Sequence, residues 1–223
     1  MAEERQVVTP TDQGTAPDHY HEPRWPAILA LMAGAGLHYA LPSRLSLGPD
    51  WFLPVLIFVL MTPIMASKSE RAYRVARVLT FVATAALTLA LIASLILLIV
   101  GIPEHRDNPA PMLRAAAFLW VTNVLVFALW YWKLDAGGPL GRDHAPRPIR
   151  SAFLFPQMVK EPPDLNWSPQ FIDYLFLAFN TSTAFSPTDS AVLERWAKVC
   201  MMVQSMLSLT IIAVLAARAI NVL

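Results

Sequence analysis

Residues 78–102 run from Val78 to Ile102 without one charged side chain, and their only polar groups are Thr and Ser hydroxyls. As a helix this stretch rises roughly 37 Å, enough to cross a hydrocarbon core of about 30 Å. It is apolar on every side, which suits a lipid surround better than water. Composition agrees: 56% of residues are hydrophobic, 15% are charged, and mean hydropathy is positive. A soluble domain of this length needs more charged surface than that. The formal net charge of +1 leaves no electrostatic footprint for nucleic acid.

Two further runs have spanning length, 115–132 (after Arg114, before Lys133) and 199–217 (closed by Arg218). Three shorter segments complete an expected set of six helices. Segment 26–41 opens on Pro26, which suits a first helical turn. Segment 51–67 carries Pro54 and Pro63, whose lost donors need compensation in lipid. Segment 168–185 opens on Ser168-Pro169, an N-cap followed by proline at the first helical position. Tryptophan supports these limits. Trp25, Trp51, Trp130, Trp132, Trp167 and Trp196 fall at span ends, as expected for headgroup-level rings, and Trp120 alone lies well inside a span.

The expected fold is therefore all-α, a polytopic transmembrane bundle of about six helices, the fifth either spanning or re-entrant because it is only marginally long enough to span. Residues 1–24 read as a polar cytoplasmic tail, 25–134 as four transmembrane helices, 135–167 as a cytoplasmic loop and 168–223 as a C-terminal helix pair. With six spans and the amino terminus inside, 12 Lys and Arg residues fall inside and 5 outside. That bias predicts both termini in the cytoplasm. A carboxyl terminus on the other side would instead mean five spans and a re-entrant segment.

The tail shows no basic start followed by a short apolar core, so no cleavable signal peptide is expected. Its Asp18-His19-Tyr20-His21-Glu22 run offers two imidazoles but no third ligand at helical spacing, and no metal or other cofactor is expected. Cys200 is the single cysteine and sits in an apolar run, where a thiol packs as a small hydrophobe. In the 135–167 loop, Ala152-Phe153-Leu154-Phe155-Pro156-Gln157-Met158 is conspicuously apolar. It is expected to dock back on the bundle, with a partner surface as the alternative. Small residues four apart, Ala86, Ala90 and Ser94, and Ala30, Gly34 and His38, mark helix seams or an oligomer interface.

Polar chemistry concentrates at Asn180, Thr181, Ser182, Thr183, Ser186, Thr188 and Asp189. Gln204 and Ser208 stack one turn apart on the next helix, and Asp173, Asn123 and His38 are secondary candidates. Polar groups inside lipid are costly and find company in protein, water or ligand. Two readings follow: helix-joining hydrogen bonds, or a path for an ion or small polar solute. An enzyme is not expected, since no nucleophile–base pair, phosphate loop or metal set is present.

Asp173-Tyr174-Leu175-Phe176, Thr181, Thr183, Asp189 and the long apolar helix ending near Arg218 resemble the pore-helix, filter and inner-helix module of tetrameric potassium channels. The resemblance implies a homo-oligomer with an ion path near 180–189. Ser186 and Thr188 stand where such a filter has glycines, and Pro187 stiffens the middle, so potassium selectivity is not implied. The whole chain after the tail is also similar to a family of bacterial multispanning membrane proteins. That similarity rests on residues 120–132, on Phe153 to Met158 and on Asn180 to Asp189. It implies a bacterial plasma membrane setting and no particular activity. The expected partners are the lipid bilayer, further copies of the chain and an ion or small polar solute. The alternative function is a non-conducting structural or partner-binding membrane protein whose polar cluster is helix glue.

Overall fold

A computed structural model of the chain describes residues 22–46, 48–66, 70–101, 110–144, 149–160, 167–183 and 190–220. These are helical almost throughout. The long helices are α1 (Trp25–Tyr39), α2 (Phe52–Ala66), α3 (Glu70–Val100) and α4 (Ala110–Leu134). They are followed by the short α5 (Gly138–His144), the strand β1 (Phe153–Leu154), the single turn α6 (Pro156–Val159), α7 (Phe171–Thr183), β2 (Ala191–Val192) and α8 (Arg195–Ile220). Among the described residues three helices are long and apolar enough to cross a membrane: Val75–Val100, Ala110–Gly137 and Arg195–Ala217.

Helix α4 is the hub. It packs on α7, α8, α1 and α3, while α2 closes the outer side against α3 and α1. Its inner residues Leu119, Val126, Ala128 and Leu129 are buried. On α1 the stripe Ala30, Gly34, His38 faces inward. Gly34 lets Leu87 of α3 pack directly against it, since a Cβ there would stand 2.6 Å from Leu87 Cδ2 and force that side chain to shift. That stripe is an intramolecular seam, one of the two readings its spacing left open. Along α3, Thr80, Thr84 and Thr88 lie four apart; Trp130 Nε1 donates to Thr88 Oγ1 (2.9 Å), and Lys133 Nζ donates to Thr80 O (2.6 Å) and to Thr84 Oγ1.

The two ends of the bundle differ and give every helix a direction. At one, here the charged end, Glu22 meets Trp132 and Arg142, and Asp135 meets Tyr174. At the other, the far end, Leu41, Leu45, Leu98, Met112 and Val214 form an apolar cluster. Helix α1 therefore leaves the charged end, α2 returns, α3 leaves and α4 returns. Helix α7 begins at the charged end, with Phe171 edge-on to Trp132 at 5.9 Å. Helix α8 begins there too, through Trp196 edge-on to Phe153 at 6.0 Å, and ends in the far cluster through Ile211 and Val214. So α7 and α8 run parallel, and both run antiparallel to α4.

This departs from six equal crossings. Helix α7 has 13 residues, a rise of roughly 20 Å. Its Ser182 lies beside Asn123, the middle of α4, so α7 stops about half-way through the bundle. It also starts at Phe171, two residues after the Ser168-Pro169 signal, because Asp173 Oδ2 accepts the Gln170 backbone N–H (2.7 Å) and fixes the cap there. Two α-helical neighbours pointing the same way place Glu22 and Ala217 at opposite ends of the bundle, whereas the six-span expectation put both termini on one side.

Segment 149–160 is docked. Ala152, Phe153 and Phe155 are buried, and β1 pairs antiparallel with β2, Phe153 opposite Val192 and Leu154 opposite Ala191. The turn that brings the chain back from α4 needs glycine. Gly138 has φ +81 with Lys133 O only 2.9 Å from where a Cβ would stand, and a Cβ on Gly141 would meet Ala136 O at 2.3 Å. That tight return aims Arg142 back at the end of α4.

Candidate functional site

The polar centre lies where α7 ends against α4 and α8. Gln204 is fully buried on α8. Its Nε2 donates to Ala178 O and to Ser182 Oγ, both at 2.7 Å, and its Oε1 accepts the Tyr131 hydroxyl at 2.5 Å. Asn123 Nδ2 donates to Gln204 O (3.3 Å) and, more loosely, to Ser182 Oγ (3.5 Å). Ser208 Oγ donates to Ser182 O (2.5 Å) and accepts Trp120 Nε1 (3.1 Å). The interior placement of Trp120 is thus explained by a polar partner at the same depth. Asn123 Oδ1 is buried and has no hydrogen-bond partner among the described residues.

Why the centre exists follows from helix termini. The last four carbonyls of a helix have no partner within it. At mid-bundle there is no bulk water to supply one, and each bare group is expensive. Here Ser205 Oγ donates to Thr181 O (3.3 Å), Ser208 Oγ to Ser182 O and Thr183 Oγ1 to Asn180 O (3.0 Å). Serines on α8 and a threonine on α7 thus reach three of the last four carbonyls of α7. The α7 carbonyl end also carries the negative pole of its dipole.

A second buried set holds the charged end. The Arg142 guanidinium donates to Glu22 Oε2 through Nη2 (2.8 Å) and Nε (3.2 Å), and through Nη1 to Trp132 O (2.9 Å) and Asp135 O (3.0 Å). Glu22 Oε1 accepts Trp132 Nε1. The Asp135 carboxylate accepts Ser151 Oγ (2.5 Å), Ala152 N–H (2.6 Å) and Tyr174 OH (2.6 Å). Phe153 fills the space between Tyr131, Tyr174 and Trp196, with ring centroids 5.3 to 6.1 Å apart. Tyr131 therefore links the two sets, through its hydroxyl to Gln204 and through its ring to Phe153.

Of the residues singled out from sequence, the structure brings together Thr181, Ser182, Gln204, Ser208 and Asn123. Thr183 is half-buried at the end of α7, and Asn180 is half-buried beside it. Asp173 is a helix cap rather than part of this centre. His38 is buried in the last turn of α1, toward the far end. Ser186, Thr188 and Asp189 lie outside the described residues, as do His19 and His21. Tyr131, Trp120, Glu22, Asp135 and Arg142 were not among the candidates. The interior position of Trp120 was a usable signal; the burial of Arg142 and Glu22 had none, since both sit in segments that read as solvated. Glu22 corrects the tail boundary, because it is held inside the bundle. Among the described residues no group of three or more His, Cys, Asp or Glu could hold a metal. No protein-family model, curated protein or solved structure matches this chain.

Proposed function

We propose that the chain is a multi-pass protein of a bacterial plasma membrane that conducts an ion or small polar solute beside α7 and α8, as a homo-oligomer and without enzymatic activity. One observation carries this reading: α7 penetrates half-way, keeps its amino-terminal end at the charged end and leaves its carbonyl end at mid-depth beside Asn123. Backbone that breaks off inside a membrane is tolerated where it is buried in protein or lines a water-filled space. Asn180 and Thr183, both half-buried, sit at that break. Protein reconstituted in liposomes is expected to pass a solute, with flux altered by Asn180→Ala and by Asp189→Ala. No flux across a broad panel of ions and small polar solutes would remove the proposal.

A second reading is favoured by the closure of the centre itself. Gln204, Ser182 and Ser208 spend their hydrogen bonds on one another and on α7 carbonyls. On that reading the protein is a non-conducting membrane scaffold, and the centre only joins helices. Gln204→Ala would then weaken the fold with no transport phenotype to accompany it.

A further inference from the structure

We infer that the chain crosses the membrane five times, that α7 enters and leaves on the cytoplasmic side, and that the carboxyl terminus lies outside. The inference needs the chain to be a membrane protein, and it does not depend on conduction.

The first support is the register of α7 against its neighbours. Its start touches Asp135 and Phe153, its middle carbonyl Ala178 O meets Gln204, and its end meets Ser208. Residue numbers rise together along α7 and α8. An ordinary pair of consecutive spans is antiparallel, and its numbers run in opposite senses. Moreover β2, just before α8, is paired with β1 at the charged end. Thr183 at mid-depth and Ala191 at the charged end thus require the chain to come back the way it entered. The five remaining passages between the ends are made by α1, α2, α3, α4 and α8.

The second support uses charge alone. In this topology Arg195 and Lys198 join the side that holds the 133–160 cations, and Arg218 moves to the other. The division of Lys and Arg becomes 13 against 4, sharper than the 12 against 5 of six spans. Basic residues mark the cytoplasmic side of short connections. The charged end is therefore cytoplasmic, together with Arg71, Arg74 and Arg77 ahead of the α3 span. Exposed Trp25 and Trp51 fall at the charged and far ends, where the two interfaces would be.

The test is thiol labelling with a membrane-impermeant reagent in a Cys200→Ala background. Arg44→Cys, Lys160→Cys and Glu194→Cys place one exposed thiol each. Intact cells are expected to label Arg44→Cys and to spare Lys160→Cys and Glu194→Cys, with all of them labelled after permeabilisation. A phosphatase fused after Leu223 is expected to be active, and a fluorescent protein fused there dark. Labelling of Glu194→Cys in intact cells while Lys160→Cys stays protected would make α7 a full span and overturn the topology. Exchange of the Arg44→Cys and Lys160→Cys results would overturn the cytoplasmic assignment. A fluorescent carboxyl-terminal fusion with an inactive phosphatase would do the same for the terminus.

Discussion

The charged end and the far end solve one problem, turning the chain between helices, with different materials. At the far end Leu41 and Leu45 fold against Leu98 and Met112, and the polar groups of the turn stay outside, Ser43 and Ser46 donating to Asp50 (3.0 and 2.6 Å). At the charged end Glu22, Asp135 and Arg142 are themselves inside, 0 to 5% exposed. The difference follows from what each end must hold. The far end connects complete helices. The charged end holds an irregular strand, a sharp return after Lys133 and the entry of a half-helix, all of which bring unpaired backbone groups into the bundle. Ala152 N–H, Trp132 O and Asp135 O are such groups, and the buried carboxylate and guanidinium are their partners.

If that contrast is right, the largest effect belongs to Arg142. Removing one member of a buried pair leaves an uncompensated charge and typically costs about 3–5 kcal/mol. Arg142→Leu would also strip two backbone carbonyls of their donor. We expect thermal unfolding in detergent at a much lower temperature and early protease cleavage between α4 and β1. Pairing it with Glu22→Gln should restore part of the loss, since the stranded carboxylate is gone. A tolerated Arg142→Leu would mean the charged end is no more demanding than the far one.

Next in size is Gln204→Ala, inside the bundle. It leaves Tyr131 OH, Ala178 O and Ser182 Oγ short of a partner. An unsatisfied buried polar group costs about 1–3 kcal/mol. The same unfolding measurement should rank this change below Arg142→Leu, and Ser208→Ala should behave similarly through Ser182 O. An effect larger than that of Arg142→Leu would shift the weight of the fold from the charged end to the half-helix terminus.

The contrast also explains what the sequence made legible. The runs containing Leu87, Val126 and Ile211 were readable because apolar length is a property of neighbouring residues. Asn123, Ser182, Gln204 and Ser208 were readable as polar groups in apolar surroundings, though not as partners of one another. The docking of Phe153 and Phe155 was expected from their crowding in a loop, and both are buried. The marginal length of segment 168–185 was readable, but the direction of α7 was not, because the apolar pattern is the same whether such a segment crosses or re-enters. Its stopping point is set by contacts across 22 residues or more, such as Gln204 and Ser208 with Ser182. Arg142 and Glu22 were hidden for the same reason, since their pairing spans 120 positions.

The smallest expected effect lies at the far end, where Asp50 sits in water. The hydroxyls of Ser46 and then Ser43 hold its carboxyl below the usual carboxylate range, with His38 adding a minor pull in the same direction. A carboxyl depressed in the folded state contributes stability that is present above its unfolded value, near pH 4, and is lost as pH falls through the lower folded value. Solvent screening keeps that contribution small. Hydrogen exchange of the Leu45 and Ser46 amides, which donate to Pro42 O and Ser43 O, should therefore accelerate only on acidification below the ordinary carboxylate range. Asp50→Asn should remove that pH dependence and leave exchange at Ala152 unchanged. Acceleration centred at or above the ordinary range would mean the hydroxyl contacts do not hold the carboxylate. Coupled loosening at Ala152 would mean that the two ends, separate in their chemistry, are not separate in their stability.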